Sequence, residues 1–114
     1  MRLAPLLLAP AMALLAAGAA AQPASAPPAF LDPARGACIA CHQLPEGVGP
    51  ATRADLGPRL EGERMRALGR AGLRAVIEDP TRANPETLMP PFGRHRILER
   101  DEIDRLVEFL HALP

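Results

Sequence analysis

Five consecutive residues, Cys38-Ile39-Ala40-Cys41-His42, constrain the fold more than any other part of the sequence. They form the pattern C-x-x-C-H and contain the only two cysteines of the chain. This pattern is typical of covalent attachment of a c-type haem. Two thiols three residues apart on a helical turn reach both vinyl groups of one haem, and the next histidine ligates its iron. We therefore expect one covalently bound haem c, held by Cys38 and Cys41, with His42 as an axial ligand.

The sequence gives less support to three other interpretations of these cysteines. A thioredoxin-like dithiol requires a βαβ context, and the sequence has no alternating strand pattern. A zinc site needs four ligands, and Cys38, Cys41 and His42 are too crowded to supply three of them. A disulfide between the two cysteines would close a tiny, strained loop.

Composition supports a single domain built around a cofactor. The 114 residues suit one small domain, yet only 3% of them are aromatic, so a haem would supply missing apolar bulk. All 13 basic residues are arginine and 13 acids balance them, which argues against a nucleic-acid partner. The arginines of residues 64–74 and of Arg94-His95-Arg96 are interpreted mainly as solvated surface, with haem propionates or an acidic partner as the alternatives.

The first 21 residues have the features of a secretory leader. Arg2 is followed by an apolar stretch that ends in small residues. We expect a signal peptide over residues 1–21, removed on export to a periplasm and leaving no membrane span. An uncleaved anchor is the alternative. Residues 22–29 are predicted to be a disordered Pro/Ala linker, and residues 30–114 the domain.

The predicted fold is all-α. Asp32-Pro33 is expected to begin a helix of two to three turns before the cysteine motif. Helical spacing over 63–79 predicts a second helix. A third, amphipathic helix is predicted from Glu99, with His111 on its last turn. Two long loops rich in glycine and proline, 43–62 and 80–98, are expected to wrap around the centre.

A second axial ligand is expected in the later loop. Met89 lies in a proline-framed segment, and a methionine ligand raises the reduction potential of a haem. The alternatives are that Met89 only fills the core, or that Met65, His95 or His111 ligates instead.

The run Gly57-Pro58-Arg59-Leu60-Glu61-Gly62 is the candidate haem environment. The Pro58 carbonyl is expected to accept a hydrogen bond from the His42 nitrogen that does not bind iron, and such a bond fixes a ligand's orientation. Leu60 is expected to pack on the haem edge. The alternative is an ordinary turn.

Together these motifs resemble a class I cytochrome c, with a short N-terminal helix, haem-wrapping loops and a C-terminal amphipathic helix. The run Asn84-Pro85-Glu86-Thr87-Leu88-Met89-Pro90, followed by Pro91-Phe92-Gly93-Arg94, more narrowly resembles the SoxX family. Its members are the cytochrome subunits of periplasmic SoxAX complexes in bacterial sulfur oxidation.

The resemblance implies thioethers at Cys38 and Cys41, with His42 and Met89 as axial ligands. It implies a SoxA-type c cytochrome partner, whose own haem performs the chemistry that joins thiosulfate to a carrier-protein cysteine. This chain would accept the electrons and pass them to a soluble cytochrome c, and would not be catalytic alone. A free-standing periplasmic electron carrier is the alternative. The first helix is shorter than is usual in the family, so its packing against the last helix is expected to be reduced.

Overall fold

The computed structural model describes residues 25–114. The predicted signal peptide and the start of the predicted linker, residues 22–24, lie outside the described residues. Three α-helices follow in order: α1 (Pro28–Leu31), α2 (Gly62–Glu78) and α3 (Arg100–His111). Single 3₁₀ turns form at Cys38–Ala40 and Pro80–Arg82, and the part of the chain described contains no β-strand. The all-α prediction is therefore confirmed.

The first helix differs from the prediction. Asp32 ends α1 instead of beginning a helix, and its side chain accepts a hydrogen bond from the Ala34 N–H group at 2.8 Å. The helix starts earlier because Pro28 occupies its first turn, where a missing N–H group costs no hydrogen bond. Pro28 and Ala29, the last two residues of the predicted linker, lie in α1, and Ala29 is buried next to the buried Phe30.

Helices α2 and α3 form the main framework and match the predicted segments within one or two residues. Exposed ion pairs join them, Arg70 with Glu108 at 2.8 Å and Arg74 with Asp104. Gly69 interrupts α2, because its φ of 69° lies outside the helical range. No helix in residues 25–114 has the length and hydropathy needed to cross a membrane.

The predicted apolar face of α3 is buried. The helix starts with a backbone hydrogen bond from Glu99 to the Glu102 carboxylate at 2.8 Å. Phe109 meets Phe30 edge to face, with ring centroids 5.6 Å apart. The short α1 thus contacts the last helix mainly through one aromatic pair. The buried residues of α3 are Ile103, Leu106, Val107, Phe109 and Leu110.

Candidate functional site

The C-x-x-C-H segment forms a tight turn. Ala37 has a positive φ of 47°, which costs an L-residue roughly 1–2 kcal/mol and reverses the chain just before the motif. The Cys38 carbonyl then accepts hydrogen bonds from the N–H groups of Cys41, at 3.2 Å, and His42, at 2.9 Å. The motif therefore lies on a helical turn, as the sequence predicts.

The two cysteines are free thiols and both are half-buried. Burial raises the pKa of the Cys38 thiol to about 11, and the neighbouring Cys41 adds a smaller upward effect. Cys38 is therefore protonated at neutral pH in this chain. A disulfide, one of the alternative uses of the pair, is not formed.

The His42 ring is oriented by the loop that follows it. Its Nδ1 atom lies 2.7 Å from the Pro58 carbonyl oxygen. A carbonyl only accepts hydrogen bonds, so Nδ1 carries the proton and Nε2 keeps its lone pair for a metal. The hydrogen bond predicted from the Gly57-Pro58 run is confirmed.

Gly57 packs against the same ring. A Cβ atom at this position would lie 2.6 Å from Nδ1 and 2.8 Å from Nε2 of His42. Any larger residue would displace the imidazole or the loop. Sequence reasoning singled out the Gly-Pro dipeptide for its proline carbonyl and missed this role of the glycine.

Backbone and side-chain bonds join the two segments that hold His42. The Gly57 N–H group donates to the Cys41 carbonyl at 2.8 Å, and the Leu60 N–H group donates to the Gln43 carbonyl at 2.9 Å. The Arg59 guanidinium also donates to the Gln43 side chain at 2.5 Å. Leu60 is buried in the core. Residues 41–43 and 57–60 are therefore fixed relative to each other on both sides of the His42–Pro58 bond.

The loop that carries Met89, residues 80–98, is called the methionine loop. Hydrogen bonds from residues of its own motif hold its shape. The Asn84 side chain accepts from the Glu86 N–H group, and the Asn84 carbonyl accepts from the Thr87 N–H group, both at 3.1 Å. The Thr87 hydroxyl accepts from the Met89 N–H group at 3.1 Å. The Met89 side chain is half-buried and packs against the apolar core. The Asn and Thr of the motif thus shape the turn that positions Met89.

Comparison with known families decides the class of the protein. Residues 34–110 match the family model described as cytochrome c oxidase, cbb3-type, subunit III. The chain belongs to this family. It is therefore a class I c-type cytochrome domain, and a domain of this kind carries haem c and transfers electrons. No curated protein matches the chain.

The residues at the cytochrome motif fit a haem c. Two unpaired thiols three residues apart are available for attachment, and the tautomer of His42 leaves Nε2 for the iron. The absence of a side chain at Gly57 leaves room for the His42 imidazole beside the loop. Within the described ranges, no cluster of three or more His, Cys, Asp or Glu side chains is placed to hold a metal ion directly.

The alternative ligands occupy other environments. Met65 is 3% exposed and packs in the core of the helical framework. His95 is exposed, and His111 is half-buried in the last turn of α3. Met89 stays the predicted second ligand, because hydrogen bonds of Asn84 and Thr87 shape the loop that carries it.

Proposed function

We propose that the chain is the haem c electron-transfer subunit of a periplasmic thiosulfate-oxidising complex of the SoxAX type. The observation that carries this proposal is the loop from Asn84 to Pro90. Its Asn and Thr form the hydrogen bonds that position Met89. The motif that carries the most specific part of the resemblance therefore also shapes the loop of the second predicted ligand.

The residues of this chain hold and orient one haem. Cys38 and Cys41 would anchor it through thioethers, and His42 and Met89 would ligate its iron. When bound, the haem takes up and releases one electron at a time. Pro58 keeps the proton of His42 on Nδ1, which sets the basicity of the ligating nitrogen. Leu60, which is buried, would contribute apolar surface beside the haem.

The sulfur chemistry belongs to the partner under this proposal. Both cysteines of the chain are committed to haem attachment, so no thiol is left to carry thiosulfate. A SoxA-type c cytochrome would bind thiosulfate and the carrier protein, and a soluble cytochrome c would remove the electrons. Export by the predicted signal peptide would place the chain in the periplasm with these partners.

A free-standing periplasmic carrier is the second candidate. It is favoured by the closed core, in which 16 apolar residues of the described range 25–114, from all three helices and both loops, are buried. This core gives the domain contacts of its own without a partner.

A native purification distinguishes the two candidates. The tagged protein is isolated from its host grown on thiosulfate, and the gel is stained for covalent haem. A second, larger haem-bearing band in equal amount supports the complex subunit. The tagged chain alone, positive for haem, supports the free carrier. Co-purification with an oxidase, as the family description names for its members, would overturn the thiosulfate proposal.

A further inference from the structure

A wide groove lies away from the cytochrome motif, between the end of α2, the start of α3 and the two ends of the methionine loop. Its volume is about 960 Å³. Asp79, Thr81 and Arg82 at the start of that loop form part of its wall, and so do Gly93, Arg94 and Arg96 near its end. A molecule bound here would therefore contact the loop that carries Met89.

Four arginine side chains border this groove: Arg82, Arg94, Arg96 and Arg100. The first two share the Asp79 carboxylate at long distances, 3.7 Å and 3.5 Å. The other two are exposed and form no ion pair within residues 25–114. The groove thus contains guanidinium groups that the folded chain leaves free for a ligand.

The three carboxylates that also border the groove are already engaged. Asp79 accepts hydrogen bonds from Thr81 as well as facing the two arginines. Glu78 faces Arg74 at 3.6 Å, and Glu99 caps the start of α3. With four arginines and three carboxylates on its border, the groove has a formal charge of +1, and among the described residues its unpaired positive groups are Arg96 and Arg100.

Two of the arginines stand where the backbone does not favour them. Arg96 has a positive φ of 55°, a conformation that disfavours every L-residue except Asn and Asp. Arg100 occupies the first position of α3, where the helix dipole opposes a positive charge. Neither position is explained by the stability of the chain, whereas both positions add to the potential of the groove.

We propose that this groove binds an acidic segment of a partner protein, whose carboxylates pair with Arg96 and Arg100. Guanidinium groups match carboxylates in geometry and charge. The groove is too wide and open to enclose a small oxyanion, and its two unpaired guanidinium groups can each take one carboxylate of a larger ligand. This inference does not depend on the thiosulfate chemistry proposed above.

The test uses the full haem-loaded chain and a fluorescein-labelled hexaglutamate peptide at low ionic strength, where charge attraction is least screened. Fluorescence anisotropy gives the dissociation constant. The double variant Arg96→Gln/Arg100→Gln should bind roughly four- to twenty-fivefold more weakly, because each exposed charge pair contributes about two- to fivefold. A matched control, Arg53→Gln/Arg64→Gln, removes two exposed arginines outside the groove and should change binding by less than about twofold.

Three results would overturn the proposal. The first is no binding of the peptide by the unaltered protein. The second is an equal loss of affinity in both double variants, which would reveal a general attraction to the positive surface. The third is displacement of the peptide by sulfate well beyond that by chloride at equal ionic strength, which would assign the groove to small oxyanions. Each result is independent of whether the protein joins a thiosulfate-oxidising complex.

Discussion

The two predicted axial ligands are held in different ways. His42 is fixed through its ring, by the Pro58 carbonyl at one edge and by Gly57 against its face. Met89 is fixed through its backbone, by the Thr87 hydroxyl, and its neighbour Leu88 is 83% exposed. A thioether sulfur accepts hydrogen bonds only weakly, so the loop itself must position it. Changes on the histidine side should therefore affect attachment and stability, and changes on the methionine side should affect the reduction potential.

The largest effect is expected from the cysteines on the histidine side. The variant Cys38→Ser/Cys41→Ser should lose all covalent haem, because a hydroxyl does not form the thioether. Haem staining after denaturing electrophoresis measures this. Met89→Ala should keep the stain, since the methionine is not an attachment site. A stained double-serine variant, or an unstained Met89→Ala protein, would contradict the assignment of roles.

Met89→Ala should next lower the reduction potential while haem stays attached. Loss of the thioether ligand is expected to shift the potential downward by on the order of 0.1 V or more, and a redox titration measures it. The matched control is Met65→Leu, since Met65 is buried in the core and packs there. An unchanged potential in Met89→Ala would show that another residue ligates the iron.

Gly57→Ala should destabilise the holoprotein. The added methyl group would meet the His42 ring, and such overpacking costs typically about 1–3 kcal/mol of unfolding free energy. Denaturant unfolding measures the change. Gly72→Ala is the control, because its Cβ would be 3.4 Å from the Leu68 side chain and alanine favours a helix. Equal unfolding free energies of the two variants would show that the close approach of Gly57 to His42 does not matter for stability.

Thr87→Val should loosen the methionine loop at constant side-chain volume. It removes the acceptor for the Met89 N–H group, a loss of about 1 kcal/mol, and should weaken the charge-transfer absorption band of methionine-ligated ferric haem. Thr87→Ser restores the hydroxyl and should restore the band. A full-strength band in the valine variant would mean that the hydroxyl does not position Met89.

The smallest effect is expected from Asp79, which lies next to the start of the methionine loop. The hydrogen bond from Thr81, helped by Arg94 and Arg82, holds the pKa of Asp79 below its ordinary value of 3.8. A carboxyl group with a lowered pKa stabilises the fold above that ordinary value, and the gain is lost as the pH falls through the folded pKa. The melting temperature of Asp79→Asn should therefore lie below that of the unaltered protein at pH 7, and the gap should close in acid. A gap that is unchanged in acid would rule out the carboxylate as its source.

Sequence could predict the features that follow from apolar periodicity or from a recognised motif. The face of α3 and the span of α2 follow from apolar periodicity, and the His42–Pro58 bond follows from a motif in which each residue has a fixed role. The start of the fold could not be predicted in the same way. Asp32 suits a helix start and a turn equally well, and only burial of Phe30 against α3 decides between them.

Other contacts between distant segments follow from no periodicity and no recognised motif role, so sequence could not predict them. The close approach of Gly57 to His42 depends on how residues 41–43 pair with 57–60, and no periodicity reports that pairing. The arginine groove likewise depends on where both ends of the methionine loop meet the helices. From sequence alone Arg94 and Arg96 are interpreted as solvated surface, and only the fold brings them together with Arg82 and Arg100 around one groove.

Intact-mass measurement tests the central claim most directly. The protein is produced in a host that matures c-type cytochromes and is denatured before mass spectrometry, so that only covalently held groups remain. The account predicts the mass of the polypeptide plus one haem, with peptide fragments placing it on Cys38 and Cys41. The mass of the polypeptide alone, with both thiols free, would contradict it.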